Sequence, residues 1–141
     1  MVTYQFYKTL CEDAKQIREK VFVQEQGFQN EFDELDKTAL HLVLYNDGNA
    51  AGTARMMPVE DDPEARVLGR IAILPQYRGL HLGNLILRSL EEKAREQGAR
   101  KTVVSAQCRA RLFYEKNGYQ ASGEIYLDEY CEHILSLIHI C

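Results

Sequence analysis

The chain of 141 residues has four cysteines but no Cys-x-x-Cys pair, because Cys11, Cys108, Cys131 and Cys141 lie far apart. The usual zinc and dithiol spacings are thereby excluded, and the cysteines read as reduced thiols. No window reaches 18 apolar residues, and Met1 to Lys8 has neither the charged region nor the long apolar region of a leader. A soluble cytoplasmic protein without a membrane partner is therefore expected. No basic stripe is present either: the net charge is −4, and phosphate-backbone binding normally needs such a stripe, so no nucleic-acid partner is expected. The phosphate-loop lysine is missing, and so is G-x-G-x-x-G, since Gly79 and Gly83 stand four apart with no glycine two positions after either. P-loop and Rossmann readings fall with them. There is no internal repeat and no low-complexity segment.

What is present fits one domain with a single core, 45% of its residues being hydrophobic. Residues 2–8 alternate as a half-buried strand. Thr9 and Glu12 make a capping box, after which Leu10, Ala14, Ile17 and Val21 recur at helical spacing until Gly27. Glu12, Lys15, Arg18 and Glu19 fall on the polar face of that helix. An acidic loop from Glu31 to Asp36 leads to a hairpin, with strands Leu40 to Asn46 and Ala50 to Met57 about Asp47-Gly48. Pro58 to Pro63 reads as a charged loop, and Arg66 to Leu74 as a third antiparallel strand. A second helix carries Leu82, Leu85, Ile86, Leu90 and Ala94, with Glu91 and Arg95 as a surface pair and Gly98 as its stop. A short buried strand from Thr102 to Ser105, a helix from Arg109 to Lys116 closed by Gly118, and a strand from Tyr119 to Leu127 follow.

The segment Pro75-Gln76-Tyr77-Arg78-Gly79-Leu80-His81-Leu82-Gly83 joins an apolar strand to the start of the second helix. Such a junction leaves backbone N–H groups without intrahelical partners where the helix dipole favours negative charge, and glycine lets a phosphate approach them. A diphosphate fits this pattern, although an ordinary strand-to-helix connection can also hold two glycines.

Gln76-x-x-Gly79-x-His81 resembles the Gln/Arg-x-x-Gly-x-Gly/Ala signature of the GNAT superfamily of acetyl-CoA-dependent N-acyltransferases, except that His81 stands where a small residue is usual. Ala110-x-x-Phe113-Tyr114-Glu115-Lys116-Asn117-Gly118-Tyr119 is similar to the superfamily's second motif. Arg18-x-x-Val21-Phe22-Val23-x-Glu25-Gln26, Glu31-Phe32-Asp33-x-x-Asp36 and Gly52-Thr53-x-Arg55 resemble the ElaA/YjcF-like branch. The resemblance implies an α/β (α+β) fold of order β-α-β-β-β-α-β-α-β-β, with a mixed, mostly antiparallel central sheet flanked by helices and strands splayed at the coenzyme A site. It implies acetyl-CoA as co-substrate and no metal. Ile71, Ala72 and Ile73 would meet the pantetheine, and Arg78, Gly79, Leu80, His81, Leu82 and Gly83 the diphosphate, with the fourth and fifth strands parting after Ile73. A primary amine of a small molecule or peptide would accept the acetyl group in a ternary complex, and a homodimer is left open.

Transfer from a thioester to an amine needs a neutral amine, stabilisation of the oxyanion and a proton for the departing thiolate. A phenol stays protonated at neutral pH, so Tyr114 is the candidate general acid on the strength of its motif; without that motif it reads as a core aromatic beside Phe113. The base is drawn from Glu25, Asp33, Asp36, His41 and His133, with Glu25 or His133 leading and a water-relayed base as the alternative. Glu25, Asp33, Asp36 and His133 are the candidate acceptor-binding residues, and the acidic run suggests attraction for a cationic amine, against its reading as a solvated loop. Two rival functions remain: a LuxI-type acyl-homoserine-lactone synthase, which Gly27-Phe28 and the lack of tryptophan oppose, and a non-catalytic coenzyme A-binding module. Finally, Leu135-Ser136-Leu137-Ile138-His139-Ile140 is similar to the translation of a transposon-end adapter, so residues 1–134 are expected to be the domain and residues 135–141 a non-native tail; the alternative is a genuine final strand.

Overall fold

The computed structural model of the chain describes residues 1–28, 32–128 and 131–139. Among these described residues seven strands form one sheet in the order β1-β2-β3-β4-β5-β7-β6. They are β1 (Val2–Tyr7), β2 (Leu40–Asn46), β3 (Asn49–Val59), β4 (Asp62–Ile73), β5 (Lys101–Gln107), β6 (Gln120–Asp128) and β7 (Cys131–His139). Between them lie the helices α1 (Glu12–Arg18), which runs on as a π-helical stretch Glu19–Glu25, α2 (Leu82–Glu96) and α3 (Arg111–Lys116). The expected element order is present, and among the described residues only the β4/β5 pair is parallel.

Strand alternation divides the core between the two faces of the sheet. Val43 of β2 packs with Ala14, Ile17, Val21 and Phe22 of the first helical segment. Its neighbours Leu42 and Leu44 point the other way, onto Ile86, Leu87, Leu90 and Ala94 of α2. Among the described residues no helix is long and apolar enough to cross a membrane.

Local corrections follow from where elements begin and what covers them. The Thr9/Glu12 capping box does not form: α1 starts at Glu12, with extended Cys11 at its N-cap, so Glu12 opens the helix instead of standing at its third position. The loop expected over Pro58 to Pro63 shrinks to Glu60-Asp61, because Val59 already pairs with Asp62. The helix expected from Arg109 begins with a 3-10 turn, Cys108–Ala110, and becomes α-helical at Arg111. Glu91 and Arg95 do not pair on the surface. Glu91 is 1% exposed and bonds Arg88 and Tyr119, while Arg95 bonds Glu92 at 3.0 Å. Residues 135–139, read as a tail, form the second half of β7, from Ser105↔Leu135 to Lys101↔His139. That slot asks only for backbone pairing and apolar, β-prone side chains, whatever the origin of the segment. Ile140 and Cys141 lie outside the described residues.

Arg18 also leaves its expected polar face and is 1% exposed. The 3-10 turn Glu34–Lys37 folds over it and brings Asp36, whose Oδ1 and Oδ2 accept from Arg18 at 2.7 and 3.1 Å. Arg55 of β3 adds a bond to Oδ1 at 2.9 Å, and the Asp33 amide one to Oδ2 at 3.0 Å. His41 bonds the Asp36 carbonyl at 2.9 Å, so α1, the acidic loop, β2 and β3 meet at one residue. Burial would raise the Asp36 carboxyl, but hydrogen bonds from Arg18, the Asp33 amide and Arg55 outweigh it and hold the group well below the ordinary carboxylate range.

Two consequences can be measured. Asp36→Asn removes the carboxylate that the buried Arg18 and Arg55 share and should cost about 3–5 kcal/mol in denaturant unfolding at neutral pH. The Asp36 carboxylate is depressed in the fold, so its stabilisation is present above the unfolded value of 3.8 and fades as pH falls toward the folded one. The stability of the variant should accordingly change less than that of the wild type between about pH 5 and pH 3. Gly52→Ala would set a Cβ 2.6 Å from Ile73 Cδ1 and 3.1 Å from the Ala72 carbonyl oxygen. It should lower stability by about 1–3 kcal/mol through overpacking, read as a lower denaturation midpoint at unchanged slope.

Candidate active site

Beyond Leu74 the chain makes a 3-10 turn, Pro75–Tyr77, passes through Gly79 at φ +85° and reaches His81, the N-cap of α2, at φ +59°. Left-handed backbone is costly for most side chains, and histidine is among the residues that tolerate it better. This conformation explains the small residue usual at the His81 position; His81 meets it with its side chain exposed rather than crowding the loop. No side chain caps α2. Among the described residues the amides of Gly79, Leu80 and His81 have no hydrogen-bond partner, and the helix start leaves those of Leu82, Gly83 and Asn84 without intrahelical ones. They border a cleft of about 500 Å³ lined by Arg78, Gly79, His81, Leu82, Gly83 and Asn84 at one end. Leu80 turns its side chain to solvent. The amide cradle, the positive end of the helix and the adjoining cleft fit a diphosphate-bearing coenzyme without a lysine.

Arg78 of this loop is fixed from two sides. Its Nε donates to the Ile73 carbonyl at 3.0 Å, and its Nη1 and Nη2 each donate to Glu25 at 2.7 Å. Glu25, a sequence candidate for the base, thus has both oxygens engaged beside the glycine loop.

The cleft continues between β4 and β5. Their parallel pairing stops at Leu68↔Val104, so the strands part before Gly69, earlier than expected, and Ile71, Ala72 and Ile73 border the cleft. On its other edge β4 carries a bulge: Thr53 pairs with Ala72 and Arg55 with Gly69, leaving one extra residue on β4. Arg70 lies in this bulge at φ +52°. Bulges bend a strand and re-aim its groups, which is what opens the sheet here.

A second cleft of about 570 Å³ lies on the far side of the parted strands, where Asp33, Arg55, Arg70, Gln107 and His133 form its polar wall and Phe22, Phe28 and Leu68 part of its apolar wall. Gln26, Ile71, Ala110 and Tyr114 line both clefts. Tyr114 therefore stands where they meet. Its ring is packed edge-on by Phe113 at 5.1 Å and Tyr119 at 5.8 Å. Burial pushes its phenol up to about 12, and its hydroxyl has no hydrogen-bond partner among the described residues. Gln107 donates to Gln26 at 2.8 Å across the same junction.

The remaining sequence candidates separate. His133 and Asp33 border the second cleft. Asp36 and His41 are buried behind it, and Asp36 has both oxygens bonded, which takes them out of reach of an acceptor. The acidic run is largely neutralised: Asp33 accepts from Arg55 at 2.8 and 3.3 Å and lies 3.5 Å from Arg70. Against the upward push of burial, the hydrogen bonds and charge of Arg55 hold Asp33 below its ordinary range. Glu31, the first residue of the run, lies outside the described residues. Sequence reasoning did not single out Arg70 and Gln107, which reach the cleft only through the bulge and the strand divergence. Among the described residues no cluster of three or more His, Cys, Asp or Glu side chains has the geometry of a metal site.

Comparison with known proteins agrees with this geometry. The acetyltransferase (GNAT) family matches residues 4–119. The uncharacterized N-acetyltransferase YjcF of Bacillus subtilis (strain 168) is 34% identical over 114 residues, covering 79% of each chain. The crystal structure of Escherichia coli ElaA superposes with a TM-score of 0.85 at 24% identity, over 97% of this chain and 99% of that one. The AHL synthase LasI superposes at 0.81 with 16% identity, over 100% and 91%, a likeness of fold alone. With a strand-to-helix amide cradle, a parted parallel strand pair and a family match over most of its length, the chain belongs to the acetyltransferase (GNAT) family.

Proposed function

We propose that this acetyltransferase transfers acetyl from acetyl-CoA to a primary amine of a small molecule or peptide, with donor and acceptor bound together. The observation that carries the reading is Tyr114, which lines both the cleft beside the amide cradle and the cleft beyond it. Acetyl-CoA supplies the activated acetyl group when bound. The amides from Gly79 to Gly83 hold its diphosphate, and the backbone of Ile71, Ala72 and Ile73, freed from pairing with β5, receives the pantetheine amides. Arg78 takes part in this cradle while Glu25 orients it, a role that suits a carboxylate with both oxygens bound.

Tyr114 is the general acid. Its Oη gives a proton to the departing thiolate, and burial keeps that proton in place at neutral pH. The proton lost by the amine leaves through His133 or a water held in the second cleft and solvent returns one to the Tyr114 phenolate, so that one C–N bond forms, one C–S bond breaks and the thiol keeps one proton. Asp33 contributes to the acceptor wall, whereas Asp36 acts only by holding Asp33, Arg18 and Arg55 in place. Residues 1–134 are the functional unit of this proposal. A cytoplasmic location belongs to it as well, supported by the free thiols of Cys11 and Cys108.

The lactone-synthase reading draws on Arg18, Val21-Phe22, Phe32-Asp33 and Arg55, but Arg55 is bonded to Asp33 and both arginines to Asp36, which accounts for these charges without a lactone precursor.

The test is thiol release from acetyl-CoA with a panel of primary amines. Release with an amine and none with S-adenosylmethionine plus acyl carriers supports the proposal. Thermal stabilisation by acetyl-CoA without any release would point to a binding module, and lactone formation would overturn the proposal. Tyr114→Phe should keep the thermal midpoint of the wild type and lower kcat by about 10²-fold or more. Because the phenol is raised to about 12, the wild type should show no fall in rate from its ionisation below about pH 10. Wild-type turnover in Tyr114→Phe would remove the assignment.

A further inference from the structure

Tyr114 sits on a helix that cannot hold itself. α3 has six residues, and isolated helices shorter than about 12 residues are marginal in water. Two devices fix it. The first is local: the Tyr119 amide donates to the Tyr114 carbonyl at 2.9 Å and the Gly118 amide to that of Glu115 at 3.0 Å, with Gly118 at φ +92°. This is a Schellman motif, and the contact between the Tyr114 and Tyr119 rings is its hydrophobic closure.

The second device is tertiary and comes from α2. Arg88 Nη2 donates to the carbonyl oxygen of Asn117 at 2.7 Å and to its Oδ1 at 3.1 Å, while Asn117 Nδ2 donates back to the Phe113 carbonyl at 2.9 Å. Arg88 Nη1 donates to Glu91 Oε1, and Glu91 Oε2 accepts from the Tyr119 hydroxyl at 2.9 Å. That hydroxyl also bonds Thr102 Oγ1 of β5 at 2.7 Å. The Glu91 side chain is 1% exposed and that of Arg88 48% exposed, so a buried carboxylate faces a half-buried guanidinium. Surface pairing does not account for a carboxylate placed so deep, since desolvation makes such a group costly unless every partner is present.

We propose that Arg88 and Glu91 are positioning residues for the acid: through Asn117 and Tyr119 they hold α3 so that the Tyr114 hydroxyl stands at the junction of the two clefts. The inference rests on the reading of Tyr114 as the acid. The same helix that presents the amide cradle at its first turn thereby sets the place of the acid two turns further on. Arg88 and Glu91 touch neither cleft and act only through this chain of bonds.

The experiment uses the full chain with tyrosines labelled at 13Cζ, comparing wild type, Glu91→Gln, Arg88→Met, Arg88→Lys, Tyr119→Phe and Tyr114→Phe. Tyr114→Phe identifies the Tyr114 resonance among those of the eight tyrosines. In Glu91→Gln and Arg88→Met that resonance should shift or broaden, and its titration should move down from about 12 toward the ordinary phenol value near 10. The signals of Tyr4 and Tyr45, on β1 and β2 at the far end of the sheet, should stay in place. Turnover with the amine that serves the wild type best should fall by about tenfold to a hundredfold, with KM for acetyl-CoA within about threefold. Arg88→Lys should recover less than half of the loss, because one ammonium cannot reproduce the fork on Asn117 and Glu91.

Should Glu91→Gln not fold, Tyr119→Phe keeps the ring and removes only the hydroxyl link, and a displaced Tyr114 signal in it supports the same inference. An unmoved Tyr114 resonance and unchanged kcat in the folded variants would overturn it. Wild-type turnover in Tyr114→Phe would instead defeat the acid reading, leaving the resonance shifts to decide the positioning claim alone.

Discussion

The parting of β4 from β5 is the constraint on which the site depends. Two parallel strands paired throughout their length would leave no opening in the middle of the sheet. Here the pairing ends at Leu68↔Val104, and the extra residue at Arg70 bends β4 away on its other edge. The result is a slot through the sheet with a cleft at each mouth. The amides at the start of α2 border one mouth, the charged wall of Asp33, Arg55 and Arg70 the other, and Tyr114 lies between. Arg70 in left-handed backbone carries a strain of about 1–2 kcal/mol, which the surrounding β3 pairing overcomes.

Two buried charge clusters brace this opening from opposite faces. On the α1 side, Asp36 gathers Arg18, Arg55 and the Asp33 amide and so pins the acidic loop across the sheet. On the α2 side, Glu91 gathers Arg88 and Tyr119 and ties α3 down. Neither cluster is strong evidence of net stability, because desolvation offsets much of the attraction. Their effect is geometric. Each has an arrangement in which both carboxylate oxygens are bonded, and that arrangement fixes an element too short or too irregular to fix itself.

Periodic elements were legible without coordinates. Alternation marked β1, the Asp47-Gly48 turn marked the β2–β3 hairpin, the Leu82/Ile86/Leu90/Ala94 row marked α2, and glycines at 79, 98 and 118 marked the ends of elements. The cradle was legible too, since unpaired amides at a strand-to-helix turn are a local backbone property. The errors all concern charged side chains or element edges. Arg18 and Glu91 read as solvent-facing because periodicity ranks a charge as polar surface and cannot see a counter-ion 18 residues away or a tyrosine 28 residues away. The charge of the acidic run was legible, but not the pairing of Asp33 with Arg55 and Arg70, which lie far along the chain from it.

The amino-acid order alone determined the succession of strands and helices, the faces they bury and the glycine loop, because these depend on neighbours within a few residues and on side-chain period. The tertiary structure decided which carboxylates are spent on arginines, where β4 leaves β5, and that Tyr114 looks into both clefts. Those outcomes depend on contacts between residues remote in the chain, and on a competition between desolvation and pairing that no local pattern records.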